Sequence, residues 1–170
     1  ERGRDQSEPL GPQQMKSTAE TADGFGQTLA LPRAAHLHRG EAALVALTLL
    51  VAVLEKKVGY AMLAQDVFVN VAGGVRLAEP AADLGVVAAL ASSHLNRPIE
   101  AQTVIFGEVG LTGEVRAISQ ITPRIREAER LGFTKCLLPK KSMKAQAGAS
   151  KMQLVGVASV REAIDRLFDT

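Results

Sequence analysis

From Ala42 to Leu54 the chain reads AALVALTLLVAVL, thirteen residues interrupted by nothing more polar than one threonine. A helix needs about 20 apolar residues to cross a bilayer, so this run is too short to span one. It predicts a buried helix inside a folded domain, ending near Lys57 with Gly59 placed as its stop. Such a helix needs other layers to cover it, and the remaining sequence has to supply them.

The material for those layers is aliphatic. Apolar residues make up 46% of the 170, but there is no tryptophan and one tyrosine, so the core must be built from Ala, Val, Leu and Ile. A face that stacks bases on aromatic rings is therefore not expected. The length allows one domain, or one domain with a tail. Residues 1–38 are polar, punctuated by Gly and Pro, and carry no sustained period. They read as a disordered or loosely docked segment, leaving 39–170 as the domain.

Beyond Gly59, DVFVNVAGG (Asp66–Gly74) alternates valines with Phe and Asn, which predicts a strand. The stretch AEPAADLGVVAALASS predicts a sharp entry into a helix, with Pro80 in the first turn, Asp83 beside it, and an end near His94. AQTVIFGEVGLTGEVRAIS predicts two strands joined by a tight turn at Leu111–Thr112–Gly113. TPRIREAERLGF predicts a helix capped by Thr122, with Pro123 first and Gly132 as the stop. KCLLP and MQLVGVAS predict strands, and VREAIDRLF predicts a closing amphipathic helix. Helices and strands in this order describe an α+β fold, an α/β sandwich of one sheet with helices against it.

The chemistry is sparse. His36 and His38 stand two apart and His94 far from both, with no third ligand spaced to complete a site, so no metal is expected. Cys136 is alone, which excludes an internal disulfide and a cysteine zinc site and fits a reducing compartment, the cytoplasm. Inside KCLLP it reads as a small core residue. Gly107, Gly110 and Gly113 lack a lysine at a P-loop position and read as turn residues, so no ATP hydrolysis through a P-loop is expected. Net charge is +2, which permits nucleic-acid contact without arguing for it. Basic residues gather late, at Arg116, Arg124, Arg126, Arg130, Lys135, Lys140, Lys141, Lys144 and Lys151. Most mix with Glu127 and Glu129 as a solvated surface would. The Lys140/Lys141/Lys144 loop carries no compensating acid and is a candidate phosphate-contacting face, with Arg116 and Arg126 as further DNA-binding candidates.

VFVNVAGGVRLAEPAADLGVVAALASS, FGEVGLTGEVRAISQITPRIREAERLGF and CLLPK together closely resemble the C-terminal domain of the RadA (Sms) family of bacterial DNA repair proteins, over roughly residues 45–165. That domain is similar to the proteolytic domain of Lon proteases, so the resemblance implies a Lon-like fold of the ribosomal protein S5 domain 2 type. Lon peptidases use a serine in a P-S-A-G turn and a lysine 43 residues later as its base. Matching the proline to Pro80 puts the serine position at Ala81 and the lysine position at Arg124 (124 − 81 = 43). Alanine has no nucleophile, and a guanidinium does not release its proton to act as a base. Ser92 and Ser93 lie about three helical turns further on and are not expected to substitute. The resemblance thus implies vestigial dyad positions and no peptidase activity.

It further implies a zinc module and a RecA-like ATPase upstream in the longer protein. ATP, magnesium and zinc would belong to those modules, and no cofactor is expected in this chain. One cysteine and no P-loop make it look like the C-terminal piece alone. Implied partners are further copies in a homo-hexameric ring, single-stranded or branched DNA during branch migration of recombination intermediates, and the recombinase RecA through the full-length protein, with no membrane. One departure stands out: before the long helix the family has further strands and a basic G-T-P-R-R-like segment, which DGFGQTLALPRAAHLHRG matches poorly. A divergent Lon-type serine peptidase using other residues, or a protein-interaction module working through the helix after Pro80, are the alternative readings.

Overall fold

A computed structural model describes residues 41–69, 79–146, 148 and 150–168. The apolar run forms α1 (Glu41–Val53), which widens into a π-helical turn over Leu54–Val58 and ends at Gly59. A short 3-10 turn, Pro80–Ala82, leads into α2 (Asp83–Leu95), which closes on Asn96 in the left-handed conformation. The strands are β1 (Thr103–Ile105), β2 (Glu108–Val109), β3 (Val115–Arg116), β4 (Lys135–Pro139) and β5 (Gln153–Val157). Helix α3 (Ile121–Arg130) precedes β4, and α4 (Val160–Phe168) follows β5.

β1, β4 and β5 form a parallel sheet in the order β1–β4–β5, with Val104 opposite Cys136 and Cys136 opposite Leu154. Side chains alternate across a strand, and β4 shows the consequence. Leu137 joins Leu84, Val115, Val157 and Ala163 on the face covered by α2 and α4. Cys136 and Leu138 turn the other way, onto Ile125 and Ala128 of α3 and onto Met152. Helix α1 adds a layer outside α2 and α4, where Leu50, Val51, Val53 and Leu54 meet Val87, Leu90, Ala91, Val160, Ile164 and Phe168. The expected sandwich of one sheet between helices is therefore present.

Three local expectations are corrected. The run from Gln102 to Arg116 holds three strands: β1 enters the parallel sheet, and only β2 and β3 form the antiparallel hairpin. Gly107 ends the first of these, because its N–H donates to Ala81 O and its carbonyl accepts from Leu84 N, both at 3.0 Å. Thr122 is not the cap of α3, since the helix starts at Ile121, two residues before Pro123, and Gln120 takes the capping position with φ 56°. Pro123 consequently lies third, which is harmless because N–H groups of the first turn have no intrahelical acceptor. The strand expected over Asp66–Gly74 is not formed at residues 66–69; the remainder lies outside the described residues, as do His36, His38 and the boundary at 38.

The hairpin tip is tightly tied. Gly113 has φ +84°, and a β-carbon there would meet the Lys57 side chain at 2.9 Å, so the position suits glycine twice over. Val160 N donates to Gly113 O at 2.8 Å, joining the tip to the start of α4. There Ser159 Oγ accepts from Glu162 N, and the Glu162 carboxylate accepts from Ala158 N, closing a variant of the capping box. Hydrogen bonds from the Thr112 hydroxyl, from its own backbone and from the Arg116 guanidinium hold the Glu114 carboxyl well below the usual carboxylate range, at about 2. A depressed carboxylate stabilises the fold above its ordinary pKa, and that contribution is lost as the pH falls through the folded value. The Thr112 amide, which donates to Glu114 at 3.2 Å, is therefore expected to titrate by NMR with a midpoint near 2. A midpoint at about 4.3, the ordinary glutamate value, would contradict these contacts.

Candidate functional site

In a parallel sheet the carboxyl ends of the strands are where ligands usually bind. Here that edge gathers the Pro80–Ala82 turn, Gly107 after β1, and the two 3-10 turns after β4, Lys140–Ser142 and Lys144–Gln146. Ala81, Arg124 and the lysine loop thus belong to one end of the sheet.

The first half of this edge is sealed. Ala81 is 6% exposed, and its carbonyl accepts from Gly107 N. The N–H groups that could face an oxyanion are taken: Ala82 N donates to Glu79 O, Asp83 N to Pro80 O, and Leu84 N to Gly107 O. Stabilising an oxyanion requires open donors aimed at it, and this turn offers none of those three. Arg124 Nη2 donates to Glu79 Oε1, two residues before Ala81, so α3 is fastened to the turn by an ion pair. With Glu79 about half exposed, that pair contributes at most about 1 kcal/mol, yet it occupies the guanidinium fully as a structural group. Arg124 Nε also donates to Ser119 O at 3.3 Å. Burial pushes the Asp83 carboxyl above the ordinary aspartate value; the Val109 N–H opposes the shift and the Glu108 charge adds to it.

The other reactive candidates are also engaged or inert. Ser92 Oγ donates to Arg97 O at 2.6 Å at the far end of α2, and Ser93 lies beside it in the same last turns. His94 stacks on Tyr60 with ring centroids 4.8 Å apart. Cys136 is fully buried, and burial pushes its thiol up to about 12, so no thiolate is available. Among the described residues no group of three or more His, Cys, Asp or Glu could hold a metal ion.

The second half of the edge carries the exposed lysines Lys140, Lys141 and Lys144, and the cations of the domain divide into two classes. Arg116 is clamped between Glu108 at 3.3 Å and Glu114, so its charge is compensated and it does not join the lysines. Arg130 pairs with Glu127, and Lys135 with Glu100. Lys140, Lys141, Lys144, Lys151 and Arg126 are exposed and have no ion-pair partner among the described residues. The lysine turns lie directly on β5: a β-carbon at Gly156 would meet Met143 Cγ at 2.4 Å and Lys140 Cα at 3.2 Å.

Sequence reasoning missed four participants. Glu108 and Glu114 could have been found from the hairpin register, which sets Glu108 opposite Arg116. Glu79 lies 45 residues from Arg124 and gives no local signal. Gln146 reads as an ordinary loop residue, yet it is 1% exposed and its Nε2 donates to Thr122 Oγ1 at 2.8 Å.

Comparison with known proteins matches residues 48–142 to the family described as subunit ChlI of Mg-chelatase, more than half of the chain. Among curated proteins, the chain is 46% identical over 119 residues to the DNA repair protein RadA of Halalkalibacterium halodurans, covering 70% of this chain and 26% of that protein. It is 43% identical over 121 residues to the protein of the same name from Streptococcus pneumoniae, covering 71% and 29%. With that from Bacillus subtilis the identity is 44% over 117 residues, covering 69% and 26%. The chain therefore spans between a quarter and a third of the length of these relatives.

Proposed function

The chain belongs to the ChlI family, and from that premise we propose that it is a non-proteolytic, Lon-like C-terminal module of a RadA-type DNA repair protein that contacts the DNA backbone through Lys140, Lys141 and Lys144. The family takes its name from a Mg-chelatase subunit, while the relatives named above are DNA repair proteins, and the repair reading is the one the cations favour. The observation that carries it is their division into paired and unpaired. A net charge of +2 over the whole chain gives little overall attraction for a polyanion, so attraction has to come from a local excess. The lysine turns and Arg126 supply that excess at one end of a rigid sheet. ATP, magnesium and zinc have their place, in this proposal, in other modules of a longer protein.

Absence of proteolysis rests on the sealed turn. Ala81→Ser combined with Arg124→Lys would restore the two residue types but not the geometry around them. The serine would sit in a buried position, and the three backbone donors would still be taken by Glu79, Pro80 and Gly107. We expect the double variant to leave casein intact over hours and to resist a serine-directed fluorophosphonate probe. Casein degradation by it would show that the surrounding machinery is in place and would overturn the non-proteolytic reading.

A scaffolding role in a ring of like subunits is the second element of the proposal, supported by the outer face of α1. Val45 and Leu49 stand one helical turn apart and are both exposed, with Leu63 and Phe68 also exposed after the helix.

A further inference from the structure

Gln146 is one of two polar residues buried among those described, and it is the less exposed of the two. It ends the second of the lysine-bearing turns and reaches the first turn of α3, where its Nε2 donates to Thr122 Oγ1 at 2.8 Å. Its own backbone N–H donates to Met143 O at 3.0 Å, and Met143 N donates to Lys140 O at 3.2 Å. Both 3-10 turns are therefore chained to one buried amide. The other end of that amide, Oε1, is buried with no hydrogen-bond partner among the described residues.

This is a poor choice for stability. An unsatisfied buried carbonyl costs more than one good hydrogen bond returns, and an apolar side chain of similar volume would avoid the cost. What the glutamine provides and a leucine would not is direction. Its bond to Thr122 fixes where the Lys140–Gln146 segment sits against α3, and so where the three lysine backbones stand relative to Arg126. Charges held in one register need less ordering when they meet a regular array of phosphates, which improves binding without a new contact.

We propose that Gln146 is a positioning residue for DNA: through Thr122 it registers the lysine turns on α3 so that Lys140, Lys141 and Lys144 engage the phosphate backbone together. This rests on the DNA-contact reading above, and the experiment separates the two. Binding of a labelled single-stranded oligonucleotide is measured against salt for the unmodified chain, for Gln146→Leu, for Thr122→Val, for both together, and for the variant with all three lysines changed to glutamate. Thermal unfolding is followed in parallel.

Gln146→Leu is expected to keep or raise the unfolding temperature while weakening binding severalfold and making the salt slope shallower by about 0.7, as if one phosphate contact on the single strand were lost. Thr122→Val should weaken binding and flatten the salt slope to the same degree while lowering the unfolding temperature, because it leaves both ends of the buried amide unpaired. The double variant should weaken binding no more than either alone, because both remove one bond. If the lysine variant binds poorly but Gln146→Leu and Thr122→Val bind as the unmodified chain does, the positioning role is wrong and the DNA contact stands. If the lysine variant binds as well as the unmodified chain, both fall. Should Gln146→Leu unfold, Thr122→Val decides, since it deletes the same bond at a half-buried position and leaves the glutamine in place.

Discussion

Changing Lys140, Lys141 and Lys144 together to glutamate is expected to weaken single-strand DNA binding by at least about 100-fold at low salt and to remove most of its salt dependence. The three side chains are exposed, lie within five residues, and have no acid to neutralise them among the described residues. Each phosphate contact on a single strand contributes about 0.7 to the slope of log affinity against log salt, so three contacts account for about 2. Reversal goes beyond removal, because three like charges then face the backbone. The same change at Arg116 should do far less, since Glu108 and Glu114 already hold its guanidinium. Fluorescence anisotropy at several salt concentrations measures both quantities. Equal losses from Arg116→Glu and from the triple change would point to a different surface.

Leu84→Ala is expected to cost about 3 kcal/mol, the lower part of the range for a buried leucine whose surroundings cannot collapse. Leu84 is fully buried in the first turn of α2, against Val115, Leu137, Val157 and Ala163. It therefore joins the sealed turn, the hairpin and strands β4 and β5 at one point. Its backbone N–H is also bonded to Gly107 O, so the helix start is fixed from two sides. For a domain of this size that cost corresponds to a fall in unfolding temperature of about 10 °C. Differential scanning calorimetry measures it; a fall under about 3 °C would mean the turn is not part of the cooperative core.

Much of this architecture was legible from pattern alone. The helix ending at Gly59, the helix after Pro80, the KCLLP strand and the closing VREAIDRLF helix all fall where periodicity and terminators placed them. Those signals are local, and local signals survive folding. What was not legible depended on tertiary partners. The β1 strand reads as half of a hairpin until β4 claims it by parallel pairing. Thr122 has the chemistry of a cap, but its hydroxyl is taken by Gln146, twenty-four residues later. The candidate site divides in the same way. The uncompensated lysines could be picked out by composition, because a missing acid is visible in sequence. The neutralisation of Arg116 across the hairpin, and of Arg124 by Glu79, appears only once the chain is folded. Arg116 consequently carries a compensated charge where Lys140, Lys141 and Lys144 do not, and Gln146 is the residue we propose to position those lysines.

The lysine-bearing end of this sheet is, as we propose, a phosphate-binding face. Its most direct test is the affinity of the unmodified chain for a single-stranded oligonucleotide as a function of salt. With three lysines and Arg126 engaged, the expected slope of log affinity against log salt is about −3. Binding that is absent at low salt, or that holds constant as salt rises, would contradict it.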